Sequence, residues 1–183
     1  MRKVFFTSDT HFGSQHTLDA SLRPFKSVEE MNETIVKNWN ETVSPGDIVY
    51  HLGDFGDFNF AKRLNGEIIF IVGNHELNYF GDYEIRFKFN YLKNKYGFKE
   101  IHYNKYIKED GLNLFLTHKP SNLSSKSDCF TLFGHLHRLC MIKTFGLNVG
   151  QDVHFFKPIP METVRAYYEK IQRRYKKDID ILV

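Results

Sequence analysis

The sequence predicts an α/β fold with parallel strands, and three observations carry that prediction. Short apolar runs recur at residues 3–7, 48–52 and 68–72. Between them the apolar residues fall at helical spacing rather than in alternation. Turn signals separate the runs, the clearest being Ser44-Pro45-Gly46.

The elements follow in order. Residues 3–7 read as the first strand. Val28, Met31, Ile35 and Trp39 then mark one face of a helix, and Ser27 with Glu30 forms a capping box at its start. The second strand is residues 48–52, residues 60–64 form a short helix, and residues 68–72 make the third strand. Residues 84–96 read as a helix. Residues 101–107 and 112–117 read as two strands joined at Asp110-Gly111, a hairpin signal. Strands are expected at 130–133, 141–144 and 147–149. Pro160 precedes a helix expected to run from Met161 to Tyr175, basic toward its end.

The chain has 183 residues, which suits a single domain spanning 1–183. Its ordinary apolar and charged fractions exclude disordered and membrane classes. No apolar stretch approaches the ~20 residues of a membrane span, and the N-terminal apolar run is too short for a signal peptide. Cys129 and Cys140 are too few for a disulfide framework and are expected reduced and buried. A cytoplasmic location fits. The net charge of +3 tolerates an anionic substrate without arguing for nucleic acid.

The chemistry is written at the strand ends. Asp9 and His11 follow the first strand, Asp54 the second, and Asn74 and His75 the third. His118 ends the strand 112–117, and His135 with His137 follows 130–133. Function in open α/β sheets gathers outside the carboxyl ends of the strands. Asp9 and His11, like His135 and His137, are two apart, so an extended backbone would point both members of a pair the same way. Gly53, Gly73 and Gly134 each precede a ligand type, permitting tight turns and close approach. Imidazole, carboxylate and amide oxygen without thiolate suit manganese, iron, zinc, nickel or cobalt, with manganese the first expectation. The seven groups Asp9, His11, Asp54, Asn74, His118, His135 and His137 are too many for one catalytic ion and suit two divalent ions.

On Asp9-Thr10-His11, Gly53-Asp54, Gly73-Asn74-His75-Glu76, Thr117-His118 and Gly134-His135-Leu136-His137 the sequence resembles the calcineurin-like metallophosphoesterases. The stretches 6–13, 23–25 and 39–40 look most like its small stand-alone members in bacteria and phages. The resemblance implies two mixed β-sheets packed as a sandwich and flanked by helices. It implies one metal on Asp9, His11 and His137, another on Asn74, His118 and His135, and Asp54 bridging both. It also implies that His75 is no ligand but a catalytic residue assisting the leaving group.

The expected reaction is hydrolysis of a phosphodiester by a metal-bound hydroxide. Two divalent ions with Asp9, Asp54 and a hydroxide leave the centre at about +1, matching one diester charge. A phosphomonoesterase would want further cations, and Arg23, Lys119 and Arg138 lie beside the motifs to supply them. Arg23 and His16 are the candidate substrate-binding residues, the latter because it lies in the loop after His11. Asp57 is a candidate orienter of His75, with Phe58 standing where the related protein phosphatases carry an Arg. A non-catalytic metal-binding scaffold is a third reading, opposed by the presence of His75 and every ligand. The expected partner is a small phosphoester or nucleotide. His51, His102 and His154 are expected to be structural, the aromatics around 79–106 to be core, and Lys170, Arg173, Arg174, Lys176 and Lys177 to form a solvated helix face.

Overall fold

The computed structural model describes residues 2–122, 124, 126 and 128–175. Along the chain, β1 (Val4–Thr7) leads into α1 (Gln15–Ala20) and α2 (Val28–Thr42), then β2 (Ile48–His51), β3 (Glu67–Ile71), α3 (Asn74–Phe80) and α4 (Asp82–Tyr96). The second half runs β4 (Glu100–His102), β5 (Asn104–Glu109), β6 (Leu112–Thr117), β7 (Phe130–Phe133), β8 (Ile142–Lys143), β9 (Gly146–Asn148), β10 (Ile159–Pro160) and α5 (Met161–Lys170). Two five-stranded sheets result, ordered β10-β1-β2-β3-β4 and β5-β6-β7-β9-β8. Both are mixed. In the first, β1 to β4 are parallel and β10 runs against β1; in the second, β6, β7 and β9 are parallel between antiparallel edges.

Alternation along the parallel strands explains the layering. Phe5, Val49, Ile68 and Phe70 face the helices, packing with Met31, Ile35, Trp39 and Leu92. Phe6, Tyr50, Ile69 and Ile71 face the other way, toward Leu114, Leu116, Leu132, Leu147 and Val164. Strands buried on both faces read as continuous apolar runs, as these do. Each enclosed side chain contributes about 1.5–3 kcal/mol, against about 0–1 kcal/mol for an exposed pair such as Arg63–Glu33. The two apolar layers therefore hold the sandwich.

The structure revises several elements. The strand expected at 101–107 is broken at Tyr103. Glu100–His102 pairs with β3 while Asn104–Glu109 pairs with β6, so one apolar run serves two sheets. The strand expected at 141–144 shrinks to Ile142–Lys143, and the short helix is a 3-10 turn, Phe58–Arg63, capped by Asp57. The last helix ends at Lys170 and relaxes into a π-turn at Ile171–Tyr175. Arg173 there pairs with Glu169, and Lys176 and Lys177 lie outside the described residues. Two helices were not expected. In α1 only Thr17 and Leu18 are buried, too little for a periodic pattern. In α3 the first residues are Asn74 and His75, placing both on a helix N-terminus rather than in a loop. Among the described residues no helix is long and apolar enough to cross a membrane. Cys129 and Cys140 are free as expected, but half-buried rather than buried.

Candidate metal centre

The seven candidate ligand residues emerge from the carboxyl ends of β1, β2, β3, β6 and β7, so both sheets contribute to one end of the sandwich. The backbone there is not extended. Asp9, His11, Asp54, His135 and His137 all have left-handed φ, between 47° and 70°. Asp and His tolerate this region better than bulky residues, and strain of this kind concentrates at functional sites. The paired residues Asp9/His11 and His135/His137 thus converge through left-handed turns, correcting the extended-strand reading.

Cross-loop hydrogen bonds hold these turns. Asp9 N–H donates to Gly53 O, His11 N–H to Asp54 O and Phe12 N–H to Phe55 O, at 2.9–3.0 Å. Gly73 and Gly134 are needed for close approach. A Cβ on Gly73 would lie 2.2 Å from Asp54 Oδ1, and one on Gly134 would lie 2.0 Å from Ser8 Oγ and 2.5 Å from Asp9 Oδ2. Glu76 ties the second and third strand ends together. Its buried carboxylate accepts from the N–H groups of Asp54, Phe55 and Gly73 at 2.8–3.0 Å. Burial and the Asp54 charge push its pKa up to about 7, against those three amide bonds. The G-N-H-E motif contained this residue, but its adjacency to His75 gave no hint that it reaches backward.

The side chains form three overlapping groups whose ligand atoms lie within 4.8 Å of one another: Asp9, His11, His137; Asp54, His118, His135; and His11, Asp54, His75. Asn74 joins the second, its Oδ1 2.9 Å from His118 Nε2. Asp54 Oδ2 lies 3.6 Å from His11 Nε2 and 3.4 Å from His118 Nε2, between the two sets. Asp54 Oδ1 accepts from the His75 N–H. Burial opposes its ionisation, but the hydrogen bond and charge of His118, with His11, hold its pKa below the usual range. Conversely His118 is raised to about 9, against its own burial, by Asp54 and Asp9.

The donor set fits a cation. His11 Nε2 is buried without a hydrogen-bond partner among the described residues, and burial drives its pKa well down, so the ring is neutral, with Nε2 facing two carboxylates. An uncompensated buried nitrogen costs about 1–3 kcal/mol, which coordination would offset. His118 donates from Nδ1 to Leu52 O at 2.7 Å, leaving Nε2 as its ligand atom. His137 donates from Nδ1 to Asp152 at 2.8 Å, with the same consequence. Such outer partners fix the tautomer of a metal-binding histidine.

Asp152 had no sequence signal: it lies 15 residues beyond His137 and outside every motif block. Its fully buried carboxylate also takes Arg23 Nε at 2.9 Å and Nη2 at 2.8 Å. Arg23 in turn donates to the carbonyls of Asp9 and Thr10. Arg23 is therefore not a substrate-facing cation as expected. Its side chain is fully buried and neutralised by Asp152, bracing the β1 turn. His16 is exposed on α1 and outside all three ligand groups. Asp57 Oδ1 accepts from Asn59, capping the 3-10 turn, and among the described residues no hydrogen bond joins Asp57 to His75. His75 instead sets its ring edge-on against His11, 4.7 Å between centroids. Lys119 is half-buried and close enough for its charge to act on His135, while Arg138 is exposed. Of the other histidines, His51 is interior but only half satisfied: one nitrogen bonds Thr10 Oγ1 and Nδ1 has no partner among the described residues. His154 bonds Asn148 O, and His102 bonds Glu100.

Comparison with known proteins agrees with this architecture. The chain is 35% identical over 188 residues to an uncharacterized protein of Methanocaldococcus jannaschii, covering 93% of each. It superposes on a crystal structure of a protein of unknown function from Aquifex aeolicus with a TM-score of 0.70 and 22% identity, covering 91% of this chain and 100% of that one. The model of the calcineurin-like phosphoesterase superfamily domain matches residues 2–158, a span that holds every strand of both sheets except β10 and every candidate ligand side chain described above. With two mixed sheets, five converging strand ends and that match, the chain belongs to the calcineurin-like phosphoesterase superfamily.

Proposed function

We propose that the protein is a dinuclear metal-dependent phosphodiesterase acting on a small phosphoester or nucleotide. The observation that carries this reading is Asp54 Oδ2, within 3.6 Å of His11 Nε2 on one side and 3.4 Å of His118 Nε2 on the other. Asp9, His11 and His137 would hold one ion, Asn74, His118 and His135 the other, and Asp54 both. Manganese is the first expectation for these oxygen and imidazole donors. When bound, two divalent ions supply charge for the phosphoryl oxygens and make water acidic enough to attack phosphorus near neutral pH.

The chain's own groups do the rest. Leu52 O and Asp152 keep a lone pair on His118 Nε2 and His137 Nε2. His75, on the N-terminus of α3 with half its side chain exposed and Nε2 3.8 Å from Asp54 Oδ2, gives a proton to the departing alkoxide. Preference for a diester is supported by charge. Arg23 is committed to Asp152, leaving fewer cations to meet the second charge of a monoester.

The test is to prepare metal-free protein and add manganese, zinc, nickel or magnesium. Bound metal is counted, and hydrolysis of an aryl phosphodiester, its monoester and cyclic nucleotides is compared. Two ions per chain and faster diester hydrolysis are expected. One ion per chain overturns the dinuclear reading, and faster monoester hydrolysis overturns the diester preference. Two ions without turnover on any substrate points to a scaffold.

A further inference from the structure

Beside the metal centre lies a cavity of about 940 Å³ whose wall includes His75. Its floor is Phe12 and Phe58, both nearly fully buried, and its rim is Tyr79 and Tyr91. These two tyrosines are 81% and 53% exposed, and Phe80 and Tyr96 complete the ring of aromatics. Tyr79 stands edge-on to Phe80 at 4.7 Å, and Phe80 lies parallel to Phe58 with centroids 6.3 Å apart. The wall on the β1 and β2 side depends on Gly56, where a Cβ would lie 2.4 Å from the Phe12 backbone. Polar groups at the edge are the tyrosine hydroxyls, Ser14, Asp57 and Lys88.

The aromatics around 79–106 were expected to be core. Phe98 is core and Phe80, Phe89 and Tyr96 pack against that core, but Tyr79 and Tyr91 are exposed, and large exposed aromatic surface beside a catalytic cleft marks a binding site. A cavity of this volume suits a small organic ligand. Aromatic faces prefer a planar ring, and the hydroxyl, carboxylate and ammonium groups at the edge offer hydrogen bonds that a nucleobase uses and a plain hydrocarbon ring does not.

We propose that this cavity is the leaving-group subsite and that the leaving group is a nucleoside, its base held among Tyr79, Phe80, Tyr91 and Tyr96. The proposal rests on the phosphodiesterase reading, since His75 lies between the ligand cluster and the cavity and serves the departing oxygen. In the hydrolysis the oxygen of water forms the new P–O bond and the P–O bond to the nucleoside breaks. The electron pair stays on the nucleoside oxygen, which takes the His75 proton. The proton lost by water passes to solvent, from which His75 is restored.

The probe is adenosine, followed by NMR or calorimetry on full-length protein with and without manganese. Adenosine is expected to bind in both states, to perturb resonances of α3 and α4, and to compete with bis(p-nitrophenyl) phosphate in turnover. Tyr91→Ala and Tyr79→Ala, both at exposed positions, should each weaken adenosine binding by about tenfold, the usual worth of one stacked ring. No adenosine binding in a protein that hydrolyses the aryl diester overturns the subsite and leaves the hydrolase reading intact. Adenosine affinity unchanged from the parent protein in both tyrosine variants, or inhibition that is not competitive, also overturns it. Adenosine binding at these rings in a protein without turnover keeps a nucleoside site but overturns its leaving-group role together with the hydrolase reading.

Discussion

Replacing Asp152 by Asn isolates the brace behind the metal centre. The native carboxylate accepts three bonds, from Arg23 Nε, Arg23 Nη2 and His137 Nδ1, at 2.8–2.9 Å, and is fully buried. An amide offers one oxygen and an NH2 group, so at least one native donor must face another donor. Arg23 keeps its bonds to the Asp9 and Thr10 carbonyls but loses its counter-charge inside the protein. Breaking a buried pair from one side costs about 3–5 kcal/mol. At about 2–4 °C per kcal/mol for a chain of this size, that is a melting-temperature loss of roughly 6–20 °C in metal-free protein. Where the amide turns its NH2 toward His137, Nδ1 must accept, which moves the imidazole proton to Nε2, the candidate ligand atom. Metal affinity should then fall about 10–100-fold. The pair also leaves a pH signature. Asp152 is held down to about 2, chiefly by His137 and Arg23 against its burial. Its contribution is therefore complete above the ordinary carboxylate pKa and is lost as pH falls toward 2. The variant should lack that part of the acid transition. Thermal and urea melts across pH, with metal titrations, measure all three effects. The double variant Arg23→Met with Asp152→Leu should recover most of the stability, because no unpaired charge remains. An Asp152→Asn protein within about 1 kcal/mol of the parent, with unchanged metal affinity, would refute the brace.

Four further outcomes are expected. His75→Ala should lower turnover about 10²–10⁴-fold while bound metal stays near two ions per chain, and lost metal would make His75 a ligand. Asp54→Asn should weaken both ions together in a metal titration; full occupancy of either site removes its bridging role. Metal affinity should rise about tenfold per pH unit from pH 6 to 9 and then level off, because His118, raised to about 9, must release a proton to bind. A pH-independent affinity contradicts this. Finally, His135 has φ of 70°, so in metal-free protein His135→Gly should be about 1 kcal/mol more stable than His135→Ala by urea melts. An alanine variant as stable as the glycine one would mean the turn is unstrained.

The convergence of the candidate ligand residues was legible because each follows a run whose apolar residues mark a strand, and strand ends of parallel sheets share one edge. The pairing of β1, β2 and β3 in register brings Thr7, His51 and Phe70 level, which delivers Asp9, Asp54 and Asn74 to one place. The break at Tyr103 was not legible, because an apolar run does not say which sheet each half joins. Arg23 was misread for a related reason. A cation beside a motif reads as solvent-facing until its counter-ion is known, and Asp152 lies 129 residues away. The helical start of α3 was hidden because its cap is a glycine whose N–H is held by the Glu76 carboxylate, not a side-chain cap of the usual kind.

The least legible feature was the backbone that aims the ligands. Strand periodicity, applied to Asp9-Thr10-His11, sends Asp9 and His11 to one face of an extended chain. In the structure both have left-handed φ and are turned inward, while Thr10 between them bonds Phe55 O and His51. Five such residues cost about 1–2 kcal/mol each against a relaxed backbone. The cross-loop amide bonds and the Glu76 carboxylate, at about 0.5–3 kcal/mol apiece, are of the right size to hold Asp9, His11 and Asp54, while His135 N–H donates to the Asp9 carboxylate. The cross-loop and Glu76 bonds join β1 to β2 and β2 to β3, so the same contacts that fix these turns also close the end of the first sheet. His11 Nε2, on a neutral ring and without a hydrogen-bond partner among the described residues, is what the folded chain leaves for a cation to satisfy.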